Sequence, residues 1–342
     1  MTRRLLQAMA GAAQGGAETF FVRLAAGLQR SGETQLALIR RHAERARQLR
    51  AAGVEVAEAA FGGVFDRATR RTFQRTIAEW RPTHVLTWMS RATQLCPQGN
   101  FVHLARLGGY YDLKYYRRCD HLVANTRSIA AYAVERGWPP DKVHYLPNFV
   151  PDLHGAAPLA RAALDTPEDA PLALALGRLH PNKGFDLLLE ALAATRDVHL
   201  WLAGEGPQRG LLERRAAELG LAGRVRFLGW RDDVAALLAS ADLLVSSSRH
   251  EPLGNVVIEA WSAGVPVVAT ASDGPAALIE PEETGLVVPI AAAPLAEAIE
   301  RLVRDGCLRS RLAEAGRRAF AAQFTEAAVV AAYRGLLDKV AA

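Results

Sequence analysis

Arg249-His250-Glu251-Pro252-Leu253-Gly254-Asn255-Val256-Val257-Ile258-Glu259 is the stretch on which the reading of this chain turns. A short apolar run, Ala241 to Val245, precedes it, with Ser246-Ser247-Ser248 between. The helical pattern Val256, Val257, Ile258, Ala260, Trp261 then sets in. The layout is a strand, a loop carrying one acid, a helix start, and a second acid one turn into the helix. A helix N-terminus offers unpaired backbone N–H groups and the positive end of a dipole, so it suits phosphate. Glu251 and Glu259 would repel phosphate; carboxylates suit hydroxyls, from which they accept strong hydrogen bonds. An acid on each side of an anion site points to a nucleotide sugar, with phosphates in the middle and a polyol at either end. The competing reading is a charged loop before an ordinary helix, in which Glu259 simply favours the first turn.

Outward from this stretch, apolar runs alternate with helical patterns along the whole chain. In the first half, strands are expected at Leu5–Ala10, Gln35–Ile39, Val54–Ala57, Val85–Trp88, Phe101–Arg106, His121–Ala124 and Val143–Leu146. Helices are expected at Ala17–Arg30, Ala43–Ala52, Arg67–Trp80 and Ser128–Arg136, and loops at Glu58–Val64 and Met89–Asn100. Pro147-Asn148-Phe149-Val150-Pro151 and the Ala/Pro/Asp-rich stretch to Pro171 read as a linker. The pattern then restarts. Strands are expected at Leu172–Leu176, Val198–Ala203, Val225–Leu228, Leu243–Ser246, Val265–Ala269 and Gly285–Val288, with helices between them. Amphipathic final helices run from about Ala313 to Lys339. Strand–helix alternation implies parallel sheets covered on both faces. The expected fold class is therefore α/β, with two Rossmann-like, doubly wound domains facing across a cleft where ligand binds at the strand ends. The domains are placed at 1–150 and 151–322, with a C-terminal helix at 323–342 packing back on the first domain.

With 342 residues, 50% hydrophobic and 23% charged, the chain has an ordinary globular balance and length for two domains. No run approaches the roughly 18 apolar residues of a membrane span. The apolar run at Leu5 is too short and too broken for a signal peptide and reads as a first buried strand. Cys96, Cys119 and Cys307 are widely spaced, which points to reduced thiols in a cytoplasmic protein. Charge is uneven. Residues 1–150 carry 22 Lys and Arg against 11 Asp and Glu, whereas the remainder carries 19 against 25. A basic first half implies an anionic partner, or else an Arg-rich composition spread over solvated helix faces.

Other strand-to-helix turns carry chemistry too. Gly11-Ala12-Ala13-Gln14-Gly15-Gly16 follows the first strand, where glycines let backbone approach a phosphate or sugar; it is not the dinucleotide pattern G-x-G-x-x-G. Gly177-Arg178-Leu179-His180-Pro181-Asn182-Lys183-Gly184 places two cations on one strand-end loop, which suits a pyrophosphate and its departure as a leaving group. Gly204-Glu205-Gly206-Pro207 and Phe227-Leu228-Gly229-Trp230 are two further turns. Backbone at the latter suits a base edge, and Trp230 reads as core packing.

Taken in order, these turns resemble the retaining family-4 (group 1) glycosyltransferases of GT-B fold. The motifs are Gly177-Arg178 with Lys183-Gly184, Gly204-Glu205-Gly206-Pro207, Phe227-Leu228-Gly229, Glu251-Pro252-Leu253-Gly254 with Glu259, and Ala263-Gly264-Val265-Pro266-Val267-Val268-Ala269. Gly15-Gly16-Ala17-Glu18 and Leu146-Pro147-Asn148 fit as well, and the likeness is loose over 19–145, where such enzymes read acceptors. The resemblance implies that Arg178 and Lys183 hold the donor diphosphate and stabilise it as it leaves. Glu251 would bind donor sugar hydroxyls at the reacting face, and Glu259 the ribose. The backbone of Gly254, Asn255 and Val256 would meet the phosphates, and Gly15 and Gly16 would let the first loop approach them. Retention would proceed by front-face displacement, the leaving phosphate taking the acceptor proton. No Asp-x-Asp occurs, so no metal and no other cofactor is expected.

Many relatives carry a cleft histidine after a first-domain strand, whereas His103 here falls inside the strand. Either Asp112 or Arg106 takes that role, or it is absent. Arg106, Asp112 and Lys114 are the acceptor-side candidates, within an aromatic and basic cluster that includes Tyr110, Tyr111, Tyr115, Tyr116, Arg117 and Arg118. The expected activity is transfer of a sugar, with a UDP-sugar the expected donor, to an envelope glycan or glycolipid such as lipopolysaccharide core. The expected location is the cytoplasm, with peripheral contact on an anionic membrane and no nucleic-acid partner. The alternatives are a nucleotide-sugar epimerase of the same fold and a non-catalytic protein that binds anionic surfaces.

Overall fold

The computed structural model describes residues 3–13, 15–63 and 66–340. They divide into two compact units, one up to Phe149 joined by the segment from Glu326, the other Val150–Thr325. The first holds a seven-stranded sheet: β1 (Arg4–Met9), β2 (Thr34–Arg40), β3 (Glu55–Ala59), β4 (His84–Trp88), β5 (Val102–Leu107), β6 (His121–Ala124) and β7 (Val143–Tyr145). The order is β3-β2-β1-β4-β5-β6-β7, and neighbouring strands are parallel. Parallel strands read as near-continuous apolar runs because helices cover both faces. In β1, Leu5 and Met9 enter one core with Phe20, Phe21 and Leu24, while Leu6 and Ala8 enter the opposite core with Phe61 and Phe73. That split is the two-residue period of a strand. Gln7 faces the first core and is accommodated by hydrogen bonds, donating to Gln35 and accepting from the Trp88 indole.

The last helix, Glu326–Lys339, completes this unit. Val329, Val330, Tyr333, Leu336 and Leu337 join the core that holds Phe20 and Leu28. Gly27 permits the approach, since a Cβ there would come within 2.9 Å of the Val330 side chain. Arg3 and Arg334 converge on the buried Glu33 carboxylate, and Arg30 pairs with Glu326, which ties the helix to the first helix and to the turn that leads into β2.

The second unit holds β8 (Leu172–Leu176), β9 (His199–Ala203), β10 (Val225–Gly229), β11 (Leu243–Ser246), β12 (Val267–Thr270) and β13 (Leu286–Val288). Its order, β10-β9-β8-β11-β12-β13, is the doubly wound dinucleotide-fold order. Alternate residues again serve opposite faces: Ala173 and Ala175 pack with Leu200 and Leu202, while Leu172 and Leu174 pack with Trp201 and Ala203. The Pro- and Ala-rich stretch before β8 lies along this unit. Arg161 donates to the Ser240, Glu168 and Ala170 carbonyls, and Thr166 accepts from the Trp201 indole.

The strands fall within two residues of their expected ends. Two expectations are corrected. Met89–Leu95 is a short helix, not loop; it follows β4 directly, with Met89 at a left-handed φ of 70° making the turn, and buries Ala92 and Thr93. The penultimate helix starts at Gly306, well before Ala313, because the Asp305 side chain caps it by accepting from the Leu308 N–H at 2.8 Å.

Arg106 is also corrected. It lies on β5 but is only 4% exposed, with its guanidinium over the rings of Phe20 and Trp88. It donates to the Tyr333 hydroxyl at 3.1 Å and to the Asn148 side chain. A cation so enclosed serves the union of β5 with the last helix, a structural role that the sequence reading did not give it. Burial pushes the Tyr333 hydroxyl pKa upward, so it stays a neutral acceptor for the guanidinium. Replacing Tyr333 with Phe strips one partner from a buried charge and is expected to cost about 1–3 kcal/mol in urea denaturation. A change below about 0.5 kcal/mol would show that the bond carries no stability.

Candidate functional site

In an open parallel sheet, ligands bind beyond the carboxyl ends of the strands where the order reverses. In the second unit that point lies between β8 and β11, neighbours in space though far apart in sequence. The loops that follow them are built to interlock. Gly184, with φ 60°, closes the β8 loop; a Cβ there would overlap the Ser247 carbonyl oxygen of the β11 loop. Ser247 Oγ donates to the Lys183 carbonyl at 2.9 Å, and the Arg249 N–H donates to the Asn182 carbonyl at 2.7 Å. Arg249 also grips Asp186 with both guanidinium ends, at 2.6 and 2.8 Å.

This clamp brings Lys183 and Glu251 together: the ammonium donates to Glu251 Oε2. The other carboxylate oxygen accepts from the Gly254 N–H at 3.3 Å. Glu251 is only 15% exposed, so the attraction between the two charges is stronger than at an open surface. Lys183 is steered by Gly177, across which its side chain lies; a Cβ at Gly177 would sit 3.2 Å from Lys183 Cε. Gly254 itself takes φ 81° and begins the helix Asn255–Ala263; as a glycine it brings no side chain to cap that helix. Asn255 and Val256 are thus first-turn residues, and Glu259 lies further along the same helix, half-buried. Arg178 is exposed on the β8 loop and has no hydrogen-bond partner among the described residues.

The β9 turn braces the β8 loop from its other side. Gly177 N donates to the Ala203 carbonyl and Leu179 N to the Glu205 carbonyl, both at 3.0 Å. At Gly204, with φ 154°, a Cβ would collide with the Gly177 carbonyl oxygen. Gly274, after β12, presses on the backbone of Glu251 and Leu253, and its N–H donates to the Glu251 carbonyl at 2.7 Å. Trp230, expected in a core, is instead 72% exposed, because it stands just beyond β10, where its indole N–H meets Asp232 at 3.0 Å.

In the first unit, the β1 loop leads into the Gly16–Arg30 helix. Glu18 folds back beneath the loop, accepting from the Ala12 N–H at 2.7 Å and filling the space beside Gly11 and Gly15. Glycine at these positions therefore also makes room for a carboxylate. Gln14 lies outside the described residues. Asp112 and Lys114 stand exposed beyond β5 as an ion pair at 2.6 Å, with the ammonium over the Tyr115 ring. His103 is buried within β5, 3.0 Å from the Thr87 hydroxyl, and burial pushes its pKa down to about 4. Cys96, Cys119 and Cys307 are free thiols. Among the described residues no three His, Cys, Asp or Glu side chains cluster as metal ligands, and no helix is long and apolar enough to cross a membrane.

The chain is 41% identical to the lipopolysaccharide core biosynthesis glycosyltransferase LpsE of Rhizobium meliloti, over 94% of this chain and 96% of that protein. It belongs to the group 1 glycosyltransferases. The model of that family, described as glycosyl transferases group 1, matches residues 157–319, which contain every strand of the second unit. LpsD of the same organism is 37% identical over 95% of this chain and 96% of its own length. Among solved structures, HepE of Anabaena in complex with UDP and glucose has a TM-score of 0.83 at 19% identity, covering 98% of this chain and all of that one. The likeness to HepE establishes the fold, two Rossmann-like domains of the GT-B class. The chain is thus a glycosyltransferase.

Sequence reasoning passed over Ser247, Arg249 and Asp186, which clamp the loops, although Arg249 opens the deciding stretch. Their role depends on a contact between distant segments that no local pattern announces. The glycine interlock is directly testable. Gly204→Ala should destabilise the protein by at least about 2 kcal/mol in chemical denaturation, through a carbonyl clash in a backbone region hostile to side chains. Gly223→Ala, at a glycine with open space around its Cβ position, should change stability by less than about 0.5 kcal/mol.

Proposed function

We propose that this glycosyltransferase moves a sugar, with retention of anomeric configuration and without a metal ion, from a UDP-sugar to an anionic glycan or glycolipid of the lipopolysaccharide-core type. The observation that carries this reading is the Lys183–Glu251 pair set against the helix start at Gly254. One small region thus offers a cation, a helix N-terminus and a carboxylate. A donor diphosphate would take the helix N-terminus and Lys183, with exposed Arg178 swinging onto it. Lys183 would then be shared between Glu251 and phosphate. Glu251 would turn its free lone pairs to sugar hydroxyls, and Glu259 would hold the ribose. The Gly15–Gly16 loop would approach the donor from the first unit.

As the glycosidic C–O bond to the diphosphate breaks, charge builds on the departing oxygen, and Lys183 and Arg178 stabilise it. That oxygen accepts the proton of the attacking hydroxyl on the same face, so no protein base is needed. The two cations supply the neutralisation that a divalent ion gives in other transferases. The acceptor class is supported by LpsE and LpsD, named for lipopolysaccharide core biosynthesis, and by the excess of arginine before residue 150. UDP is supported by the HepE complexes with UDP and with UDP-glucose. Asp112 and Lys114 are the exposed candidates on the acceptor side, and the basic first unit suits peripheral contact with an anionic cytoplasmic membrane face.

A thermal-shift series with UDP, GDP and ADP should show stabilisation by UDP, worth about 2.7 kcal/mol at a hundredfold excess over Kd. A stronger response to GDP or ADP would reassign the base. Glu251→Ala should lower transfer at least tenfold while the melting temperature stays within a few degrees; wild-type turnover would remove Glu251 from the site. Transfer should persist within twofold in excess EDTA, and its abolition, restored by Mg²⁺ or Mn²⁺, would show that a metal is needed. Consumption of the nucleotide sugar without any acceptor would point instead to an epimerase.

A further inference from the structure

A second basic site lies in the first unit, at the carboxyl ends of β1 and β2. A cavity of about 240 Å³ is lined by Gly11, Ala12 and Ala13 of the β1 loop and by Arg40, Arg41, His42 and Arg45. Gly15 and Gly16, which the donor reading uses, do not line it. Arg45 is 3% exposed. One terminal nitrogen, Nη2, donates to the Ala12 carbonyl at 2.6 Å, whereas Nη1 is buried with no partner among the described residues. A buried guanidinium left partly unpaired is costly, and such groups are ordinarily completed by an anion. Burial lowers the Arg45 pKa, while Glu18 opposes that effect from the Gly16–Arg30 helix.

The nearby carboxylates have other hydrogen-bond partners, and none among the described residues bonds the Arg45 guanidinium. Glu18 is engaged by the Ala12 N–H, and Glu44 is held by Arg47 and Gln48. Glu58 on β3 reaches only the His42 N–H, at 3.4 Å. His42 Nδ1 accepts from the Arg45 N–H at 3.2 Å, so the proton of its neutral ring sits on Nε2, which is then a donor. The Arg40 and Arg41 side chains are exposed and have no hydrogen-bond partners among the described residues. Three guanidinium groups and an imidazole therefore surround a space that suits one small anionic group, such as a sugar substituent, and is too confined for a duplex or a headgroup layer.

We infer that this cavity binds a phosphoryl or carboxylate substituent of the acceptor glycan, fixing the acceptor in the first unit independently of the donor. The inference rests on the proposed acceptor class. Phosphate and carboxylate share the chemistry that recognises them, two or more oxygens facing arginine forks.

The test uses the full chain saturated with UDP, so that the donor diphosphate site is occupied. Binding of glucose 6-phosphate, glucuronate and glucose is measured by calorimetry for wild type and for the double variant Arg40→Gln/Arg41→Gln. Glucose 6-phosphate or glucuronate, whichever matches the natural substituent, should bind wild type and bind the variant at least tenfold more weakly. Glucose should show no such difference, and UDP affinity should be the same in both proteins. Equal binding of the anionic sugars to both proteins, or no binding to wild type while UDP is bound, would overturn the inference. Failure of UDP itself to bind wild type would count against the donor reading instead, and the anionic sugars measured without UDP would then judge the cavity by the same criterion.

Discussion

The site of the second unit depends on one steric constraint: the loops after β8 and β11 meet backbone to backbone. They meet only because Gly184 has no side chain where the Ser247 carbonyl presses against it. From that contact follow the Asn182–Arg249 hydrogen bond, the Asp186–Arg249 fork and the placement of Lys183 beside Glu251. Gly204 against Gly177 and Gly274 against Glu251 repeat the device on either side. Tight backbone contact replaces the flexible side-chain packing that would otherwise separate these loops. This is how charged groups are held at fixed spacing with little exposed surface.

The charge balance of the pair carries a functional consequence. Lysine beside a phosphate site would bind any passing anion if left bare, and a mostly buried carboxylate left bare would be costly. Each satisfies the other in the resting structure. On the proposed reading, only a ligand that carries both phosphate and hydroxyls would replace both partners at once, so the resting pair would favour it over a simple anion.

The first unit uses polar groups differently. Its buried Arg106, Glu33 and Gln7 are engaged in holding the last helix and the central strands. Arg45 is among the groups left incomplete, buried with one nitrogen unpartnered among the described residues, and it lines the cavity at the sheet's carboxyl end, where binding groups collect. The excess of arginine in this half of the sequence thus resolves into structural cations, such as Arg3 and Arg106, and exposed ones, such as Arg40 and Arg41.

The sequence by itself determined the strands, their parallel arrangement and the turns that carry Lys183, Glu251 and Gly254. Those features are local: strand runs with both faces apolar, and glycines at strand-to-helix turns, are legible within about ten residues. Tertiary structure alone decided that Lys183 pairs with Glu251, that Arg106 is interior, that Trp230 is exposed and that Arg45 turns under the β1 loop. Composition also misread the short Met89–Leu95 helix, which has no turn signal at its start. Each of these outcomes depends on which distant segment lies opposite a side chain, and strand order sets that. Periodicity reports which face a residue occupies, but not what the chain later brings to it.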